Sequence, residues 1–110
     1  MKYALILSMA FAMPVHAEII SGNRLLEYLS APSSSYSAWG FGRGFVTGVY
    51  DAQHYASHCA PAGITVSQIG DMSKAWLESN HATRHQPASN ILGEMFAITW
   101  PCAKKPRPNL

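Results

Sequence analysis

Two histidine pairs, His54 with His58 and His81 with His85, each stand four residues apart. On a helix that spacing puts both rings on one face, where they can share a metal ion. No glutamate follows the first histidine of either pair, and no obvious third ligand accompanies them. The second pair falls in a polar connector, Asn80 to Gln86, where helical geometry is not assured. Both pairs therefore read as ordinary surface histidines, and no metal site is expected. Their remaining chemistry is titration near pH 6.5, which makes acid sensing a secondary reading. Asp51, Asp71, Glu78 and Glu94 read as solvent-facing helix residues, with nothing to couple two of them as acid and base. No serine sits in a strand–turn–helix elbow. The glycines around residue 44 do not follow a strand and lack the lysine of a phosphate-binding loop. The sequence reads as a non-enzyme with no cofactor.

The cysteines depend on where the chain goes. Lys2 opens it with a positive charge, Tyr3 to Met13 form an apolar run of eleven residues, and Pro14 breaks the run. Val15-His16-Ala17 supplies the small-x-small pattern read by signal peptidase, so residues 1–17 are expected to be a signal peptide. A bilayer span needs about 20 apolar residues, and no stretch meets that. Cleavage after Ala17 removes 17 of the 110 residues and leaves 93, enough for one small domain. In an oxidising compartment, the pair Cys59 and Cys102 reads as one disulfide. The loop it closes, roughly 44 residues, gives a chain-entropy contribution of about 4 kcal/mol as an upper value. Without Lys2 the chain has seven basic and six acidic residues. That is no footprint for nucleic acid. Residues 103–110 hold the one basic cluster, Lys104-Lys105-Pro106-Arg107-Pro108, and read as a disordered tail.

The elements expected to position these residues are four helices, an all-α fold over residues 18–102. Ser21 caps a short first helix carrying Leu25, Leu26 and Leu29, which Pro32 and Ser33–Ser35 end. The second helix runs from about Ser37 to His58, with Phe41, Phe45, Val49, Ala52 and Ala56 facing the core. Thr65 and Gln68 form a capping box for the third, whose inward stripe is Val66, Ile69, Ser73, Trp76 and Leu77. Pro87 occupies the first turn of the fourth, which turns Ile91, Leu92, Met95 and Phe96 inward. The disulfide then ties the C-terminal ends of the second and fourth helices together.

Gly40, Gly44 and Gly48 lie four apart on the second helix, each costing up to about 1 kcal/mol relative to alanine. They read as a groove for another helix of the same domain, with a homodimer contact as the competing reading. Opposite Phe41 and Phe45, that helix carries Trp39, Arg43, Val46, Tyr50 and His54. Outward Trp, Tyr and Arg are hot-spot residue types. The alternative is that a neighbouring helix covers this side as well, since a central helix is apolar all round.

Several segments, in order, resemble the Rap/Tai immunity proteins. They are Ser21-Gly22-Asn23-Arg24-Leu25-Leu26, Gly44-Phe45-Val46-Thr47-Gly48-Val49-Tyr50-Asp51 and Cys59-x-Pro61-x-Gly63-Ile64-Thr65. Arg84-His85-x-Pro87-Ala88 and Trp100-Pro101-Cys102 continue the likeness, which spans about residues 20 to 102. Many relatives carry a second cysteine pair near the positions of Leu29 and Gly42, and both are absent here together. The resemblance implies a small helical periplasmic protein that neutralises a type VI secretion effector. Such effectors are typically papain-like amidases that cleave peptidoglycan peptides, and the inhibitor occludes the active-site cleft.

The expected function is therefore stoichiometric inhibition of a peptidoglycan amidase by a periplasmic protein. The candidate contacts are Trp39, Arg43, Tyr50 and His54 on the second helix, and Asn80, His81, Arg84 and His85 in the connector. Arg84 and His85 have a competing structural role, satisfying carbonyls at the end of the third helix. The runner-up function is an acid-stress holdase of HdeA-like build, which the four histidines of the mature chain favour slightly.

Overall fold

A computed structural model describes residues 20–103. The expected signal peptide with its cleavage site and the basic tail from Lys104 on lie outside the described residues. Within them the chain forms four helices and no strand: α1 (Gly22–Leu29), α2 (Tyr36–Gln53), α3 (Val66–Ser79) and α4 (Ala88–Thr99). A short 3-10 turn, His81–Thr83, lies between α3 and α4. Each helix packs against all three others.

Local chemistry explains where the helices begin. The Ser21 hydroxyl accepts the Arg24 N–H at 3.2 Å, and the Thr65 hydroxyl accepts the Gln68 N–H at 3.1 Å. Each satisfies one of the orphan donors of a first turn. Pro87 stands just before the first residue of α4 instead of inside its first turn. The segment before α4 is stitched to the start of α1. Gly22 and Asn23 donate to the carbonyls of Gln86 and Arg84 at 2.9 and 2.8 Å, and Ala88 donates to Ile20 at 2.7 Å. Gly22 is required at this crossing, since a Cβ there would stand 2.6 Å from Ile91 Cδ1 and 2.8 Å from the Arg84 carbonyl oxygen.

The core is apolar and shared by all four helices. Leu25, Val46, Leu77, Leu92 and Phe96 are completely buried, and Ile69, Ile91 and Met95 nearly so. Ser73, inward as expected, is satisfied by donating to the Ile69 carbonyl at 2.7 Å. Val66 is half exposed, and α3 turns Ile69, Ser73 and Leu77 inward instead.

The inward face of α2 is rotated from the sequence expectation. Its buried line is Gly42, Val46 and Tyr50, whereas Phe41 is 45% exposed and Ala52 is exposed. Phe45 and Val49 pack at the edge of the core. Consecutive helix residues point about 100° apart, so choosing the Phe41 line over the Gly42 line rotates the helix by that much. The cause is Gly42. A Cβ there would lie 3.1 Å from the carbonyl carbon of Tyr28 and 3.2 Å from the amide nitrogen of Leu29, so its absence lets the α1 backbone press against α2. Leu29 and Gly42 are thus neighbours. Gly40, Gly44 and Gly48 have no atom of another element within 4 Å of a would-be Cβ. No helix of the domain fills the expected groove, which is open to solvent.

Helix α2 also ends five residues early. The Gln53 carbonyl accepts the N–H groups of Ala56 and Ser57 at 3.0 and 2.9 Å, which closes a turn. Tyr55 adopts a left-handed conformation, φ 64°, that a helix cannot continue through. The expected Cys59–Cys102 disulfide is present, its Cα atoms 4.8 Å apart. Beside it, Cys59 donates to the Trp100 carbonyl at 2.8 Å, so the segment that follows α2, not the helix end itself, is joined to the end of α4 covalently and by hydrogen bonding.

Candidate partner-binding surface

The eight candidate residues fall into three local groups. Trp39 and Arg43 form the first. They sit one turn apart on α2, with the guanidinium carbon 4.4 Å from the centroid of the indole ring. The Arg43 stem runs past Gly70 of α3, where a Cβ would touch its Cγ at 3.4 Å. Both residues are half-buried, and the buried Arg43 Nη1 has no hydrogen-bond partner. A stacked, partly desolvated guanidinium is suited to an incoming carboxylate or carbonyl.

Tyr50 and His54 form the second group, and the structure withdraws Tyr50 from the surface. Only 8% exposed, it packs against Phe96 and Trp100 edge-on, with ring centroids at 5.5 and 6.0 Å. Of the outward stripe read for this side of α2, Val46 and Tyr50 are thus core, while Trp39, Arg43 and His54 stay half-buried. His54 is half-buried and its Nε2 lies 3.2 Å from the Ala60 carbonyl. His58, read as a surface residue, is fully buried. Because α2 stops at Gln53, the two histidines are not on one helix face, although their rings stack at 5.3 Å. No cluster of three or more metal-ligating side chains occurs among the described residues.

The connector is the third group. Asn80 caps α3 by donating from Nδ2 to the Trp76 carbonyl at 2.7 Å. This is the capping task considered for Arg84 and His85. Arg84 instead reaches the ring of His81, Nη2 to Nδ1 at 3.1 Å, and its backbone carbonyl is held by Asn23. His81 and His85 are exposed, and Arg84 is half-buried with its Nε unpartnered. The loop is polar outside and anchored on its inner side, a rigid scaffold for presenting side chains.

Two open grooves lie among the described residues. One, of about 450 Å³, runs between α3 and α4 and is lined by Met72, Ala75, Trp76, Ser79, Asn80, Met95 and Thr99. The other, of about 400 Å³, follows the open glycine face of α2 past Phe45, Val49 and Ala52 to Gln53 and Ser89. Asn80 joins the first groove to the connector. An apolar floor of Met72, Trp76 and Met95 thus meets polar side chains at Ser79, Asn80 and Thr99. A buried apolar centre with a polar edge is the usual anatomy of a protein interface, and methionines adapt to varied partners. Sequence reasoning assigned Trp76 and Met95 to the core and so missed the groove. It also missed the exposed Tyr36, Tyr55 and Ile98, at 81%, 78% and 60% exposure. Only the strong turn signal around residues 60–63 marked the neighbourhood of Tyr55.

A family model described as Rap1a immunity proteins matches residues 21–102. No curated protein and no solved structure matches the chain significantly. No helix among the described residues is long and apolar enough to cross a membrane.

Proposed function

Because the chain belongs to the Rap1a immunity protein family, we propose that it protects a cell from a type VI secretion effector by binding and inhibiting it in the periplasm. The effector is a peptidoglycan amidase, and inhibition works by occluding its active-site cleft, without turnover. The family match over nearly the whole described domain carries this reading. Export by a signal peptide cleaved after Ala17 delivers the protein to the compartment where the effector acts, and the Cys59–Cys102 disulfide suits that compartment.

The contact surface we favour is the α3–α4 groove with its connector rim. Asn80 lines the groove beside its floor of Met72, Trp76 and Met95, and His81, Arg84 and His85 supply further polar contacts from the connector that follows it. Trp39 and Arg43 are a second contact point, and His54 a third at the other end of α2. Tyr50 acts only by supporting the fold. The open glycine face of α2 gives a second copy of the chain a place to pack, so a homodimer is part of this reading.

Periplasmic co-expression with an amidase encoded by an adjacent gene tests the function. Rescue from lysis together with a purifiable stoichiometric complex is the expected result. Lysis unaffected by the protein, with no complex, refutes it.

A further inference from the structure

His58 closes the turn between α2 and the disulfide. Its side chain is fully buried, and neither ring nitrogen has a hydrogen-bond partner. The rings of Tyr50, Phe96, His54 and Trp100 surround it at 4.9, 5.1, 5.3 and 6.4 Å. A neutral imidazole normally uses one nitrogen as donor and the other as acceptor, and an imidazolium donates from both. In this box the neutral form already forgoes its hydrogen bonds, and the charged form would also leave water without a counter-charge.

The ionisable groups facing the ring are few. Helix α2 presents the Tyr50 phenol, and the turn presents His54, whose positive charge would oppose one on His58. Helix α4 presents Phe96, and Trp100 follows at its end; neither ionises. Cys102, joined to the neighbouring Cys59, is locked in the disulfide. Among the described residues no carboxylate is hydrogen-bonded or ion-paired with His58. The ring meets Tyr50, Phe96 and Trp100 at tilts of 41°, 45° and 42°, so it does not lie flat on any of their faces.

We propose that His58 is a proton-binding site that latches the α2–α3 turn, seated while neutral and expelled from the aromatic box when protonated. Release frees residues 54–58, because the seated residue holds the turn: Tyr55 donates its N–H to the His58 carbonyl at 2.7 Å. Tyr55 is the turn's exposed aromatic, its ring stacked on His54 at 3.9 Å in the left-handed backbone conformation. Acidification thus removes or relocates this aromatic, while the Cys59–Cys102 bridge keeps the corner tethered and the helices folded. Burial, and then the charge on His54, both push the His58 imidazole below the ordinary histidine value. The opening equilibrium is expected to rise by up to tenfold per pH unit below about 6.5, until His58 is fully protonated.

The test uses the mature protein alone, so its outcome does not depend on any effector. Ring signals of all histidines are followed by NMR from pH 8 to 4, with amide exchange of residues 54–59 corrected for its intrinsic pH dependence. The expected result is a His58 midpoint below 6.5, with turn exchange accelerating at that midpoint while far-UV circular dichroism persists. His58→Phe should abolish the pH-dependent exchange. A midpoint at or above 6.5 would mean that the aromatic faces stabilise the imidazolium, and would overturn the latch. Turn exchange that ignores the His58 titration would overturn it as well, whether or not the phenylalanine variant folds.

Discussion

Alanine at Gly42 and alanine at Gly44 should move stability in opposite directions, although the residues are two apart on the same helix. In a helix interior, glycine to alanine is worth about 1 kcal/mol of stabilisation when nothing else changes. At Gly44 nothing else changes within the chain, since no atom of another element lies within 4 Å of the new methyl group. At Gly42 the methyl meets the Tyr28 carbonyl carbon and Cβ at 3.1 Å and the Leu29 nitrogen at 3.2 Å. These are mostly backbone atoms of α1, so relief requires moving a helix. Overpacking of this kind costs about 1–3 kcal/mol. The helix gain offsets part of that, leaving Gly42→Ala destabilised by up to about 2 kcal/mol and Gly44→Ala stabilised by about 1. Urea unfolding of the mature protein with its disulfide intact measures both, and an unchanged m-value confirms that the midpoints compare stability. In a domain of this size each kcal/mol also moves Tm by about 4–8 °C. Gly42→Ala as stable as Gly44→Ala would refute the close α1–α2 approach and with it the orientation of α2.

Four further outcomes follow from the same structure. Replacing Cys59 and Cys102 with alanine should lower stability by up to about 4 kcal/mol, read as a fall in Tm, because the closed loop spans 43 positions. Tyr50→Ala should cost about 3–5 kcal/mol as an aromatic core truncation, so any loss of inhibition by it should track loss of the circular dichroism signal, whereas Trp39→Ala should keep the fold. Trp76→Ala should weaken the effector complex measured by calorimetry by 2 kcal/mol or more if the α3–α4 groove holds a hot spot; undiminished affinity would remove that groove from the interface. Finally, a histidine held below its ordinary value binds fewer protons in the folded state than in the unfolded one. Its contribution is therefore full above about pH 6.5 and declines as pH falls toward the depressed value. Stability measured against pH should drop over that window and flatten in His58→Phe.

Helix number, order and approximate ends were legible because they depend on neighbours in the chain. Ser21 and Thr65 cap with their own side chains, Pro32 and the Cys59–Gly63 segment break the backbone, and Leu25, Ile69, Leu77 and Ile91 recur at helical spacing. The disulfide was legible too, since two cysteines in a chain read as exported leave one pairing. So was the family, whose signature lies in short ordered segments. The inward face of α2 was not. Its stripes Phe41–Phe45–Val49 and Val46–Tyr50 are both apolar, and the choice between them rests on a glycine with no side chain to read. Only the approach of α1 to Gly42 shows that the small residue belongs inside and the phenylalanine outside. The same holds for His58: the sequence supplied two histidines at helical spacing, but the helix stops at Gln53 and packing buries one of them among Tyr50, Phe96 and Trp100. Local hydrogen bonding and backbone preference act within a few residues and are written in the chain. Which apolar stripe is covered, and which polar ring loses its water, is decided by elements that meet only when the domain closes.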